Sequence, residues 1–251
     1  MSDEVSVEVR EDHVAVIQLS RPPNNFFDAE LIRRVADAYE RLDSDPAARA
    51  IVLCSEGKHF CAGANFADEN PASSGALYEH AVRLFAAQTP VIAAVQGAAV
   101  GGGLGLALSA DFRVASPESR FSANFSRLGI HHGFGLTVTL PMVVGAQRAL
   151  ELLYTGARLR GEDAHAIGLC DRLVPAERLL EDANAFAAEI AASAPLAVRS
   201  IRATMRGDLT ERIRAATARE AAEQAKLFGT EDFRKGVAAA AERRVPHFTG
   251  S

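Results

Sequence analysis

Three observations predict an α/β fold. A unit of apolar strand, loop and helix recurs along the chain, glycine-rich turns follow two of the buried strands, and the last third is alanine-rich with helical periodicity. Each element follows from local chemistry. Val5, Val7 and Val9, then Val14, Val16 and Ile17, flank "REDH" and predict a β-hairpin. "SRPPNNFFD" reads as a loop. Asp28 stands where it can cap a helix whose apolar stripe is Leu31, Val35, Ala38 and Leu42. "ARAIVLCSEG" is a short buried strand, and "FCAGANFADENPASSG" lacks any sustained period and reads as loop. A helix over 75–88 ends at "TP", and "VIAAVQG" forms a second buried strand. The glycine run, the helix "LGLALSA" and the strand "FRVAS" complete that unit. A third turn is expected from "RFSANFSRLG" through "LPMVVG" to "LCDRLV", and residues 176–243 carry mostly helical patterns. No linker divides the chain. The expectation is a core over 1–190 and a helical region over 191–251, packed on that core or on another subunit.

Composition narrows the function classes. The 251 residues are 48% hydrophobic, enough for a substantial core, and the formal net charge is −5. Without a basic stripe, that charge excludes nucleic acid and acidic membranes as expected partners. Cys54, Cys61 and Cys170 are odd in number and widely spaced, which fits a reducing compartment and argues against a disulfide framework or a zinc site. The start "MSDEVSVEVREDHV" is acidic and polar, unlike a targeting peptide, and no apolar run reaches about 18 residues. A cytoplasmic protein without a cofactor is expected.

The stretch "VQGAAVGGGLGLALSADF" places Gly101, Gly102 and Gly103 directly before an apolar helix. Three glycines at a strand-to-helix junction let a ligand approach the backbone, and the helix start offers free N–H groups and a positive dipole end. A dinucleotide fingerprint is excluded, because its register needs glycine where Leu106 stands. "HFCAGANF", residues 59–66, is a second small-residue turn after a buried strand. Two such turns can present two converging N–H donors to one developing oxyanion.

"HFCAGANF", "TPVIAAVQGAAVGGGLGLALSADFRVAS" and "FGTEDFRKGVAAAAERR", in this order and spacing, resemble the enoyl-CoA hydratase/isomerase (crotonase) superfamily over about residues 5–248. The resemblance implies a spiral of ββα turns with a helical C-terminal region, assembled as a homotrimer or a dimer of trimers. It also implies an acyl-CoA thioester as substrate, its carbonyl held by the N–H groups of Ala64 and Gly102. The substrate-binding set it implies is Cys61, Ala62, Gly63, Asn65, Phe66, Gly101, Gly105, Phe125, Gly133, Phe134 and Phe228.

The chain departs from that family's pattern where protons are moved. The two glutamates of its hydratases match Gly105 and Phe125 here, and neither a glycine nor a phenyl ring transfers protons. The aspartate of the dienoyl-CoA isomerases and of the 4-chlorobenzoyl-CoA dehalogenase matches Gly133. The dehalogenase shares the "GGGLG" form of the glycine helix and an aromatic ring at the match to Phe125, and this resemblance implies a pocket shaped for a bulky or cyclic acyl group. His131 and His132, in "LGIHHGFGLTV", are the nearest titratable candidates for acid–base work, and as neighbours in a loop they are expected to point apart. Cys61 reads as a buried structural thiol, Asp68 and Glu69 as solvated loop carboxylates, His59 and His80 as structural, and Asp111 as a capping or turn residue. By resemblance, Lys235, Arg243 and Arg244 are candidates for CoA phosphates, and Ala67 replaces a lysine frequent in relatives. The expected activity is addition, elimination or isomerisation through a thioester enolate. The alternatives are a non-catalytic acyl-CoA binder and a decarboxylase or C–C cleaving enzyme.

Overall fold

A computed structural model describes residues 4–64 and 74–251. The hairpin forms as read: β1 (Val5–Val9) pairs antiparallel with β2 (Val14–Leu19). Asp28 accepts a hydrogen bond from the Leu31 amide and caps α1 (Ala29–Asp43), whose buried face includes Leu31, Val35, Ala38 and Leu42. Such a cap contributes about 1 kcal/mol. Strand β3 (Ala50–Ser55), helix α2 (Ser74–Ala86) and strand β4 (Val91–Val95) follow. The next repeat is β5 (Ala98–Val100), α3 (Gly102–Ser109) and β6 (Phe112–Ala115). The third comprises β7 (Arg120–Ser122), a 3₁₀ turn over Asn124–Leu128, α4 (Leu136–Val144), α5 (Ala146–Thr155), β8 (Arg158–Arg160), α6 (Gly161–Ala166) and β9 (Arg172–Leu173). The chain ends in α7 (Leu179–Ala191), α8 (Pro195–Arg206), α9 (Leu209–Leu227) and α10 (Glu231–Ala241).

The strands form two sheets. Six run in the order β1-β2-β3-β4-β6-β9, parallel except for the first pair, and three form the order β5-β7-β8. β3 is apolar along its length because both of its faces are covered. Ile51 and Leu53 enter the main core with α1 and α2, whereas Ala50, Val52 and Cys54 meet Leu179, Ala183, Ala187 and Ala191 of α7. A strand buried on both sides loses the polar alternation of a half-exposed one.

The C-terminal helices are tied to this core by charge as well as by apolar contact. Asp111, read as a cap or turn residue, accepts from the Val91 amide (2.8 Å) and pairs with Arg202 (2.9 Å) and Arg206 (2.8 Å) of α8. Helix α9 packs on α2 and α4, and α10 on the 3₁₀ turn. Among the described residues, no helix is long and apolar enough to cross a membrane.

Candidate functional site

The segment 61–64 and the start of α3 are drawn together by backbone pairing. Cys61 N–H donates to the Ala98 carbonyl (2.9 Å), and the Cys61 carbonyl accepts from Val100 N–H (3.1 Å). Gly101 adopts φ 57°, ψ −122°, and so turns the chain from β5 into the helix in a conformation glycine alone tolerates well. At Gly103 a Cβ would lie 2.2 Å from the Cys61 carbonyl oxygen, so the close approach of the two loops requires glycine there.

This arrangement directs two amides. The Gly63 carbonyl accepts from Phe27 N–H (3.1 Å). A trans peptide points its N–H opposite to its C=O, so the Ala64 N–H faces away from Phe27. Gly102 opens α3, and the first amides of a helix have no carbonyl one turn earlier. The Gly101 carbonyl is taken by Leu104 and Gly105, at 3.0 and 3.3 Å. Ala64 and Gly102 both line one cavity of about 410 Å³.

The residues expected to bind substrate divide into three groups. Ala62, Gly63, Gly101, Phe125, Gly133, Phe134 and Phe228 all line this cavity with the two amides. Cys61 and Gly105 do not. The Cys61 side chain is fully buried, and burial pushes its thiol up to about 12, which leaves it protonated and inert. Gly105 lies beneath Phe134, whose Cβ would sit 2.5 Å from a Cβ at 105. Phenylalanine therefore occupies the space a side chain at 105 would need. Asn65, Phe66, Ala67, Asp68 and Glu69 lie outside the described residues.

The histidine pair departs from expectation. The His131 and His132 rings do not diverge but stack, with centroids 4.2 Å apart and planes at 25°. Neither lines the cavity. His131 Nδ1 lies 2.7 Å from the His132 carbonyl, and His132 Nε2 lies 2.9 Å from the Thr137 hydroxyl. Burial, together with the neighbouring His131, pulls His132 down to about 4, so its imidazole is neutral near pH 7. The buried carboxylate beside it, Glu220, accepts from the amides of Gly135 (2.8 Å) and Thr137 (3.0 Å) and from the Thr137 hydroxyl (2.6 Å). It reaches from α9 to cap the N-terminus of α4, a structural role.

Other groups supply the polar surface. The Tyr78 hydroxyl donates to Gln224 Oε1 (2.8 Å), and Gln224 Nε2 donates to the His131 carbonyl (3.0 Å). Tyr78 and Gln224 line the cavity, and a Cβ at Gly133 would fall 1.9 Å from the tyrosine oxygen. A phenol thus stands in the space that a side chain at 133 would take. Asn124, Arg120, Arg158 and His59 also line the cavity. His59, expected to be structural, has a buried Nδ1 without a hydrogen-bond partner among the described residues. Burial, then the charges of Lys58 and Arg120, lower its proton affinity. Of the candidate phosphate ligands, Lys235 binds the Thr249 hydroxyl (2.7 Å) and Arg244 pairs with Glu242; neither they nor Arg243 line the cavity.

Comparison with known proteins identifies relatives in sequence and in fold. The family model described as enoyl-CoA hydratase/isomerase matches residues 9–251. The chain is 35% identical over 248 residues to a crotonyl-CoA hydratase of Syntrophomonas wolfei, covering 95% of each chain. Among solved structures, an enoyl-CoA hydratase/isomerase of Pseudoalteromonas atlantica superposes with a TM-score of 0.88 at 29% identity, covering 98% of this chain and 100% of that one. A carnitinyl-CoA dehydratase of Mycobacterium avium superposes with a TM-score of 0.87 at 32% identity, covering 100% of both chains. The expected spiral α/β fold with its helical C-terminal region is that of these structures.

Proposed function

Because this chain belongs to the enoyl-CoA hydratase/isomerase family, we propose that it processes an acyl-CoA thioester by holding the thioester oxygen on the amides of Ala64 and Gly102 while an enolate forms. The observation that carries this reading is the pair of amides directed at one cavity. One belongs to a peptide whose carbonyl is turned to Phe27, the other to the first residue of a helix. Two fixed donors stabilise charge that develops on the oxygen and need no reorganisation as it forms; each is worth roughly 3–4 kcal/mol.

The proton-moving groups differ from the two-glutamate arrangement. Gly105 and Phe125 carry no acid, and Phe134 fills the space beside Gly105. The Tyr78 hydroxyl takes their place as the polar group facing the acyl carbons. This hydroxyl donates to Gln224, and the two residues line the cavity together. His131 and His132 are not needed in this account. Phe27, Phe125, Phe134 and Phe228 supply flat apolar walls suited to a bulky or cyclic acyl group. We also infer assembly through α8, where Leu196, Ile201 and Met205 are 82%, 63% and 79% exposed on the single chain, by contact with further copies. Light scattering that finds only monomer at micromolar concentration would remove that inference.

Exchange of the α-proton of an acyl-CoA in D₂O tests the reading. Wild-type protein is expected to catalyse exchange, and Ala64→Pro, which deletes one donor, to lose it. The absence of carboxylates at 105 and 125 favours a second reading, a clamp that binds acyl-CoA without turnover. Tight binding without exchange across enoyl, aryl and β-keto thioesters would select that one.

A further inference from the structure

The three-stranded sheet β5-β7-β8 has two unlike faces. In-register partners share a face and neighbours along a strand alternate. Ala99, Phe121 and Leu159 therefore point one way, into or against the main core. The opposite face carries Ala98 with Arg120 and Arg160, and Val100 with Ser122 and Arg158. Arg120 stands directly across from Arg160, and like charges so placed repel. None of the three arginines makes an ion pair or a side-chain hydrogen bond among the described residues. Several arginines elsewhere are matched with carboxylates, as in Arg21 with Glu4 and Asp28, Arg83 with Asp37 and Glu40, and Arg113 with Asp171. Others, such as Arg41, Arg214 and Arg243, stand singly among the described residues; the sheet face is distinct in gathering three unmatched arginines on one side. Glu118 shares a neighbouring cleft with Lys58, His59 and Arg120, yet it forms no ion pair with any of them among the described residues.

This unmatched charge borders the cavity. Arg120, Arg158 and His59 line the same cavity as Ala64 and Gly102, and Ala98 and Val100 of β5 line it as well. Two arginine forks on one sheet face suit an oxyanion, which each can bind with paired, charge-assisted hydrogen bonds.

We propose that the face formed by Arg120, Arg158 and Arg160, with His59 at its edge, is a subsite for an oxyanion of the thioester ligand. A carboxylate at the far end of the acyl group and a phosphate of CoA share this chemistry. Strand β5 leads from Ala98 at this face straight to Gly101 and Gly102, a few residues of extended chain. That short reach matches an acyl carboxylate better than the CoA phosphates, which lie a full pantetheine arm from the thioester.

The proposal rests on the acyl-CoA reading, and the test separates the two. Binding of four thioesters is measured by calorimetry: hexanoyl and 5-carboxypentanoyl, each on CoA and on N-acetylcysteamine. Wild type is compared with the Arg120→Gln/Arg158→Gln double variant, whose exposed sites leave the circular dichroism unchanged. The expected result is a loss of about tenfold or more for the carboxylate-terminated thioesters on both carriers, with the methyl-terminated ones unaffected. An equal loss confined to both CoA thioesters supports the subsite and assigns it to a phosphate. Wild-type binding that the double variant reproduces within twofold for all four overturns the subsite alone. If wild type binds none of them, the functional reading falls and the subsite with it.

Discussion

The cavity has two parts that obey different rules. The part proposed to bind the carbonyl is made of main chain: Ala64 after the Gly63 turn, and Gly102 at the head of α3, held by pairs such as Cys61 with Ala98 and Val100. The part proposed to move protons is made of side chains, with Gly105 under Phe134, Phe125 in the wall, and a tyrosine–glutamine pair beside Gly133 in place of the two glutamates that the family resemblance leads one to expect. Backbone donors depend on a fold, so substitution leaves them largely in place. Side-chain acids can be lost one codon at a time. On the proposed reading, the chain keeps the means to hold an enolate while changing how protons reach it.

The sharpest way to break this contrast is Ala64→Pro, which removes a donor while the apolar wall stays intact. Turnover or α-proton exchange is expected to fall by two to three orders of magnitude, read as kcat under saturating thioester. Gly105→Ala acts on the other part. Its Cβ would meet the Phe134 side chain at 2.5 to 2.8 Å. The overpacking is expected to cost about 1–3 kcal/mol in urea unfolding, and the Gly105→Ala/Phe134→Gly pair, which removes the Phe134 Cβ with its ring, to cost less than the sum of the single changes. Tyr78→Phe is expected to lower kcat about fivefold and, because it leaves the buried Gln224 without this donor, to cost about 1–3 kcal/mol in urea unfolding. An unaltered kcat would remove the phenol from the account.

The smallest effect concerns His132. Its folded value of about 4 lies below the ordinary 6.5 of an imidazole, so between those values the unfolded chain holds the extra proton. The stability conferred by keeping this ring neutral is complete above pH 6.5 and is lost as pH falls toward 4. Wild type is expected to lose more stability than His132→Gln between pH 7.5 and 5 in urea titrations. Activity between pH 5 and 8 is expected to show no step that His132→Gln abolishes; such a step would restore the imidazole to the chemistry.

Local signals made much of this legible from sequence. The runs "AIVLCS" and "VIAAV" are strands because each is covered on both faces, and Asp28 caps the helix it precedes. The two glycine turns were visible because close backbone approach leaves few residue choices. The side-chain half was not. Tyr78 meets Gln224 across 146 residues and Glu220 reaches Thr137 across 83, and no local period records either pairing. The His131–His132 stack likewise depends on the Thr137 and Glu220 environment that receives His132, which the loop's own residues do not specify. The arginine face escaped notice because three-residue strands carry little alternation, so only their register reveals which side chains share a side.

The carbonyl stretch of a bound thioester, labelled with ¹³C at C1 and read by difference infrared spectroscopy, tests the main-chain donors most directly. Two amides on one oxygen are expected to lower the frequency below its value in water, and Ala64→Pro to return most of that shift. A bound carbonyl that vibrates as it does in water, in wild type and variant alike, would contradict the account.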